Sequence, residues 1–255
     1  MVAEVGRWVG LALLFIGLAA PSARAQEAPA VFDETEQEAI EGIIADYILE
    51  HPEIIYRAIQ VLQERQQAAE AERARQALAE HRDALERDQN TPVGGNPDGD
   101  VTVVEFFDYR CPYCKRVASD VERLIEEDAN VRFVYKEWPI LGPESVFAAR
   151  AALAARKQDR YVDFHDQVMA LEEVTEGSVM AVAEDLGLNL EQLREDMEAP
   201  EVDAHLEQTM GLAQALGITG TPAFVVGDQI VPGAANFEAL SGLVEAARDP
   251  AAETR

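Results

Sequence analysis

Apolar positions near the start of the chain recur at the spacing of a helical face, and this pattern occurs twice in succession. Asp33 can cap the first helix, because Glu36 follows three residues later in the form of a capping box. His51 and Pro52 divide the two helices, since a residue before proline avoids helical geometry and proline suits a first turn. The two apolar faces comprise Ile40, Ile43, Ile44, Tyr47 and Ile48, then Ile55, Ala58, Ile59 and Leu62.

The second pattern fades into a stretch rich in Ala, Glu, Arg and Gln over residues 64–88. Such a polar stretch predicts a solvated stalk, and apolar residues spaced by seven favour a seam between helices of neighbouring chains. The alternative is that the apolar face packs on the rest of its own chain. We therefore expect an N-terminal helical arm over residues 26–90 that forms a homo-oligomer. The residues spaced by seven are Ile48, Ile55, Leu62 and Ala69.

A turn-rich stretch over residues 90–100, with few side chains able to pack, separates the arm from a second unit. The pattern of that unit predicts an α/β fold in which a long helical stretch interrupts a sheet. The predicted elements are a strand at residues 101–107, a helix to about 127, a strand at 132–138, helices over 145–216, strands at 223–226 and 229–231, and a helix over 236–247.

Local signals mark the ends of several of these elements. Ser145 and Asn189 are expected to cap helices of the helical stretch, and Gly187 and Gly217 are expected to end them. The turn at residues 227–228 is short enough for a hairpin between the last two strands.

Charge and the first residues of the chain indicate location. The 255 residues include 48 acidic and 21 basic side chains, a formal net charge of -27 that disfavours binding to nucleic acid. Arg7, an apolar run over residues 8–20 and a small-x-small pattern predict a cleaved signal peptide over residues 1–25. Glu4 weakens the positive start, so a retained anchor is the alternative. Cleavage predicts a periplasmic protein.

The chain has two cysteines, Cys111 and Cys114, in the motif CPYC. A bridge between them would close a very short loop and stabilise little, so reversible redox chemistry explains the pair better. A structural zinc site needs four Cys or His ligands, and this chain has no second cysteine pair and no closely spaced pair of histidines. We therefore expect no metal and no cofactor beyond the redox-active pair. The scattered His51, His81, His165 and His205 are interpreted as surface or packing residues.

The position of CPYC between a strand and a helix suggests a mechanism. Cys111 would begin the helix, where unpaired N–H groups and the helix dipole stabilise a thiolate. Cys114 would be covered one turn later and act as the resolving thiol, while Pro112 suits the first helical turn. Pro112 and Tyr113 leave oxidase, isomerase and reductase activity open.

Two further features lie outside the motif. Glu105 belongs to an otherwise apolar strand and is either a solvated residue at a sheet edge or a buried proton acceptor beneath Cys114. Thr221 and Pro222 open a strand, and the sequence alone indicates an ordinary trans bond between them.

Four segments of the chain carry a family resemblance. They are VEFFDYRCPYC at residues 104–114, YKEWPILG at 135–142, GTPAF at 220–224 and, in the arm, YILEHPE at 47–53. Together they resemble the DsbA family of periplasmic thiol-disulfide proteins, above all the branch of ScsC, the suppressor of copper sensitivity, and Com1-like proteins. The resemblance covers nearly all of the chain after the leader.

The resemblance implies a thioredoxin fold over residues 91–255 with an inserted helical domain at about 143–217. It implies that Cys111 is the nucleophile and Cys114 its partner, and it places a buried acid at Glu105. It also implies a thiol-disulfide oxidoreductase acting on exported cysteine-containing proteins, with a membrane redox partner.

The resemblance further implies that Pro222 is cis beside the sulfurs and that the backbone of Thr221 pairs with the substrate chain, near Pro112 and Tyr113. Strongly oxidising members have His where this chain has Tyr113, whereas Thr221 is similar to disulfide isomerases. A different function remains open, in which the reduced pair binds Cu(I), for which thiolates are suitable ligands.

Overall fold

The computed structural model describes residues 32–249, so the predicted signal peptide over residues 1–25 lies outside the described residues. The chain divides into two compact units, one reaching to Val61 and the other starting at Leu62. The second unit therefore begins well before the boundary at residue 90 that the turn signals predict.

The first unit contains helix α1, Glu34–Glu50, and the start of helix α2, Glu53–Glu86. Asp33 caps α1 as predicted, because its side chain accepts from the N–H of Glu36 at 2.9 Å and its own N–H donates to the Glu36 carboxylate at 3.0 Å. No residue of α1 is buried. The apolar face of this unit is thus exposed, with Ile43 at 69% and Tyr47 at 54%.

The later part of α2 belongs to the second unit, and the prediction of a solvated stalk over residues 64–88 is wrong for its end. Leu78 and Leu85 are each 1% exposed and share a core cluster with residues of the sheet. The Nζ of Lys136 donates to the Ala84 carbonyl at 2.7 Å. The contacts come from two leucines and from Ala77 and Ala84 within a long polar stretch, so the composition gave little sign of them.

The second unit is built on a five-stranded sheet in the order β1-β3-β2-β4-β5. Strands β2 and β3 are parallel, and the other neighbouring pairs are antiparallel. The predicted strands are confirmed, as is the hairpin turn between β4 and β5. The strands are β1 Val93–Gly95, β2 Val101–Phe107, β3 Val131–Glu137, β4 Ala223–Val226 and β5 Gln229–Pro232.

Strand β1 was not predicted, since it lies inside the stretch interpreted as turns with few packing side chains. It is only three residues long, and its glycines serve close packing against β3. A Cβ added at Gly94 would lie 2.8 Å from the Tyr135 hydroxyl, and Gly95 has a φ of +64°. Glycine thus marks a strand here where the sequence pattern indicates a loop.

Helix α3, Pro112–Glu127, connects β2 to β3. A helical insertion separates β3 from β4, and one more helix follows β5. These helices are α4 Pro143–Arg156, α5 Tyr161–Ala170, α6 Glu176–Asp185, α7 Leu190–Met197, α8 Pro200–Ala215 and, after β5, α9 Phe237–Arg248. Asn189 caps α7, and Gly187 and Gly217 follow α6 and α8 with positive φ, as predicted. Ser145 does not cap α4, because Gly142 holds that position.

Side chains of β2 alternate between the two faces of the sheet. Val103 and Phe107 enter the core cluster that includes α3 and the helical insertion, whereas Val104 and Phe106 enter the cluster that includes α2. Since successive strand residues alternate, Glu105 lies on the α3 face. No described helix combines the length and the apolar composition that a bilayer crossing requires.

Candidate active site

Cys111 occupies the N-cap position of α3, directly after the turn that follows β2. Its φ of -72° and ψ of 117° are extended, and Pro112 is the first helical residue. The first N–H groups of a helix have no intrahelical partner and carry the positive end of the helix dipole. The start of α3 therefore favours a negative sulfur at Cys111 through its backbone alone, apart from any basic side chain.

Asp108 fixes the turn before Cys111, and sequence analysis missed this residue. It is 1% exposed, and its carboxylate accepts from the N–H groups of Ile140 and Leu141 at 2.7 and 2.9 Å. It also accepts from the Arg110 N–H at 2.7 Å and from the Ser145 hydroxyl at 2.8 Å. This last bond explains why Ser145 is not a helix cap. The only sequence signal for Asp108 is its place between the strand and CPYC.

Thr221 and Pro222, which are far from the cysteines in the sequence, lie beside Cys111 in the structure. Its Sγ lies 3.3 Å from the carbonyl oxygen of Thr221 and donates to it. The bond between Thr221 and Pro222 is cis, as the resemblance implies and in contrast to the trans bond that the sequence alone indicates. Pairing of Phe106 with Ala223 holds this segment beside the end of β2.

Cys114 and Glu105 meet on the inner side of α3. Both are buried, at 1% and 4% exposure, so the interpretation of Glu105 as a solvated edge residue is wrong. They line one cavity of about 20 Å³, together with Tyr135 and Asp166. A cavity of that size can hold about one water molecule, which could carry a proton between the thiol and the carboxyl group.

Burial changes the acidity of these groups. It raises the pKa of Glu105 to about 8. Burial is also the largest cause of the raised pKa of Asp166, which is about 6. The pKa of the Cys114 thiol is raised, first by burial and then by the charge of Glu105. Near neutral pH, Glu105 is therefore mostly protonated and Cys114 is a neutral thiol.

A second buried polar cluster lies beneath the cysteine turn, and the sequence did not predict it. One oxygen of Glu137 accepts from the Tyr109 hydroxyl at 2.9 Å and from the Tyr161 hydroxyl at 2.7 Å. The Tyr109 hydroxyl also lies 3.1 Å from Nδ1 of His165. Burial raises the pKa of Glu137 to about 8 and lowers that of His165 to about 3. The cluster therefore connects Tyr109, in the turn before Cys111, to Tyr161 and His165 on α5 of the helical insertion.

The reactive helix is also tied to the insertion by Lys115. Its Nζ donates to the carbonyl groups of Met169 and Leu171 at 3.0 and 2.7 Å, at the end of α5. Pro112 and Tyr113, by contrast, are exposed on the outer side of the helix beside Cys111. Cys111 itself is 4% exposed, so the outer surface of the site is formed by Pro112 and Tyr113.

The profiles of two known families match this chain. The DSBA-like thioredoxin domain matches residues 102–245. The N-terminal domain of the copper resistance protein ScsC matches residues 36–69.

Solved structures cover both parts of the chain. A thioredoxin-like oxidoreductase from Silicibacter pomeroyi is 56% identical, with a TM-score of 0.64 over 66% of this chain and 97% of that one. A linker-deletion mutant of Proteus mirabilis ScsC is 26% identical, with a TM-score of 0.66 over 88% of this chain and 100% of that one.

Curated relatives match about three fifths of this chain. The Na(+)/H(+) antiporter NhaA 3 of Salinispora tropica is 33% identical over 158 residues, which are 61% of this chain and 24% of that protein. The chain thus spans about a quarter of the antiporter's length. Disulfide bond formation protein D of Bacillus subtilis is 30% identical over 167 residues, 60% of this chain and 75% of that one.

Proposed function

The chain belongs to the DsbA-like family of thiol-disulfide oxidoreductases, and from this membership we propose that it exchanges disulfides in exported proteins of the periplasm. One observation carries the proposal. Cys111 begins a helix with its sulfur 3.3 Å from the Thr221 carbonyl, while Cys114 lies covered one turn later. Cys111 is 4% exposed and lies beside the exposed Pro112 and Tyr113, whereas Cys114 is 1% exposed. A nucleophile at the start of a helix and a covered resolving thiol one turn later form the pair that reversible exchange requires.

In the reductive direction, the Cys111 thiolate attacks one sulfur of a substrate disulfide, and the other substrate sulfur leaves as a thiolate. Cys114 then loses its proton and attacks the Cys111 sulfur, which releases the second substrate thiolate. Two electrons pass from the protein dithiol to the substrate, and the protein is left with a Cys111–Cys114 disulfide. Oxidation of a substrate dithiol is the reverse sequence.

The ionised form of Glu105, which is the minor form near neutral pH and grows as pH approaches 8, is proposed to accept the proton that Cys114 releases, through a water molecule in the shared cavity. The raised pKa of Glu105 suits this role, since a base that titrates near the working pH transfers protons efficiently in both directions. The backbone of Thr221 is proposed to pair with an extended substrate chain. Pro222, Pro112 and Tyr113 would contact the residues beside the substrate sulfur.

The exposed apolar face of the first unit is proposed to join copies of this chain into a homo-oligomer. A contiguous exposed apolar surface on a soluble domain commonly marks an interaction site. Several Cys111 sites in one assembly would favour rearrangement of incorrect disulfides, since neighbouring sites could act on one substrate. A monomer would favour simple oxidation, with a membrane partner restoring the active pair.

The test of exchange is rescue of a scrambled disulfide protein by the purified chain in a glutathione buffer. Cys111→Ser should abolish rescue, whereas Cys114→Ser should retain attack and accumulate a substrate mixed disulfide, visible by mass spectrometry. Rescue that persists in Cys111→Ser, or absence of the mixed disulfide in Cys114→Ser, would contradict the assigned order of attack.

A second candidate function is Cu(I) binding by the reduced pair, favoured by the match of residues 36–69 to a copper resistance protein. Thiolates are suitable ligands for Cu(I). Within residues 32–249, however, no three His, Cys, Asp or Glu side chains are grouped as metal ligands. Rescue that is unchanged when copper is rigorously chelated would reject copper capture as the essential function.

A further inference from the structure

The first turn of α3 differs in charge from every other helix that the structure describes. Each of the other eight helices within residues 32–249 has an acidic residue in its first turn, but α3 has none. Basic residues follow instead, at Lys115 and Arg116. In a chain with a net charge of -27, this places positive charge within the first two turns of the helix that Cys111 begins.

The basic side chains around Cys111 are not equivalent. Arg110 donates to the Leu141 carbonyl at 2.8 Å and pairs with Glu144 at 3.0 Å. Lys115 is occupied by the carbonyl groups at the end of α5. Both therefore hold the structure together and have little free capacity for a substrate.

Arg116 is exposed, and no ion pair to it is present among the residues that the structure describes. Its guanidinium carbon lies 5.0 Å from the centre of the Tyr113 ring, in the geometry of a cation–π contact. Tyr113 is 52% exposed and lies two residues after Cys111. The ring thus holds a positive charge on the open side of the site.

We propose that Arg116, positioned by Tyr113, selects substrate disulfides that carry a carboxylate close to the reacting sulfur. Attack on such a disulfide brings a negative thiolate toward a negative substrate, and a cation held on the exposed Tyr113 ring near the start of α3 lowers that repulsion. The inference rests on the proposed thiol-disulfide exchange. It adds a substrate class, acidic cysteine-containing segments, to that reaction.

Three small disulfides separate the charge effect from reactivity: oxidised glutathione is anionic, hydroxyethyl disulfide is neutral and cystamine is cationic. The rate constant of Cys111 attack is measured with each, for the reduced protein and for Arg116→Glu and Arg116→Gln. We expect Arg116→Glu to slow attack on oxidised glutathione about fivefold and to accelerate attack on cystamine by about the same factor. Arg116→Gln should give smaller changes in the same directions, and hydroxyethyl disulfide should change little.

The matched control is Arg123→Glu. Arg123 is on the same helix and also lies over a ring, 3.8 Å from the centre of Phe237, but it is two turns farther from Cys111. Arg123→Glu produces the same change in net charge as Arg116→Glu, and it should leave the preference between the charged disulfides unaltered. High salt should erase the preference of the unmodified protein, since the charge is exposed.

Equal changes for all three disulfides in Arg116→Glu, or an equal shift of preference in Arg123→Glu, would overturn the proposal while exchange itself stands. If the unmodified reduced protein attacks none of the three, thiol-disulfide exchange fails, and the substrate preference fails with it.

Discussion

The carboxyl group of Glu105 and the thiol of Cys114 line the same buried cavity, one from β2 and the other from α3. The parallel pairing of β2 with β3 and the antiparallel pairing with β4 enclose Glu105 on both sides within the sheet. A carboxyl group so enclosed keeps its proton to unusually high pH, and this has consequences for stability as well as for exchange.

Replacement of Glu105 by Gln should make the protein more stable near pH 8 and weaken the dependence of stability on pH. The pKa of Glu105 is about 8 in the folded state, against an ordinary value of 4.5. Between these values the folded protein retains a proton that the unfolded chain has released, so its stability falls as pH rises. The slope is up to about 1.4 kcal/mol per pH unit.

Urea unfolding of the reduced protein and of Glu105→Gln, between about pH 5 and about pH 8, measures this slope. Glu137 and Asp166 titrate in both proteins, so only the difference between the two slopes reports on Glu105. Identical slopes would show that Glu105 is solvated in the folded protein.

Asp108 should contribute more to stability than any single bond in the turn. Asp108→Ala would leave the part-buried N–H groups of Ile140 and Leu141 without their acceptor, which costs about 1–3 kcal/mol for the two together. Ser145→Ala removes a single bond to the same carboxylate and should cost about 1 kcal/mol. Comparable losses in the two variants, measured by chemical unfolding, would contradict the view that Asp108 fixes the turn.

Gly94 and Gly211 should respond in opposite ways to the same substitution. A Cβ at Gly94 would lie 2.8 Å from the Tyr135 hydroxyl, so Gly94→Ala should destabilise the protein by about 1–3 kcal/mol. Gly211 is inside helix α8 with nothing within 4 Å of its Cβ position. Gly211→Ala should therefore stabilise by about 0.5–1 kcal/mol. Thermal unfolding distinguishes the two, and a stable Gly94→Ala would argue against close packing of β1 on β3.

How far the sequence predicts the structure depends on how local the responsible interactions are. The strand at Val101–Phe107 and the turn at residues 227–228 follow from neighbouring residues, and both were predicted. Strand β1 was missed, because three residues with two glycines form a strand only against a partner that is distant in sequence. The cap at Ser145 was wrong for a similar reason, since Asp108, 37 positions away, holds its hydroxyl.

The candidate site also combines residues that a local motif predicts with contacts between residues that are distant in the sequence. Cys111 and Cys114 are identified by a local motif, whereas the contact between Cys111 and Thr221 joins residues 110 positions apart. Only the resemblance to a family pointed to that contact. The neighbouring sequence did not predict the cluster of Glu137, Tyr109 and Tyr161, because each of these residues alone is typical of an ordinary core or surface position.

Disruption of the exposed apolar face should separate the copies of the proposed homo-oligomer without altering the site. Ile43, 69% exposed on α1, is the position of choice, and Ile43→Lys places a charge in the proposed interface. The mass measured by light scattering should fall to that of one chain, whereas Gln37→Lys, a polar position on the same helix, should leave the oligomer intact.

The two variants also connect assembly to activity. Ile43→Lys should attack a small disulfide at the unmodified rate, because Cys111 lies in the other unit, but it should rescue a scrambled protein more slowly. Slow rescue with normal attack would mean that neighbouring sites cooperate on one substrate, which is the behaviour of an isomerase. If the unmodified protein has the mass of one chain even at high concentration, the homo-oligomer is excluded. Full rescue by a monomeric Ile43→Lys would instead remove the link between assembly and isomerase activity.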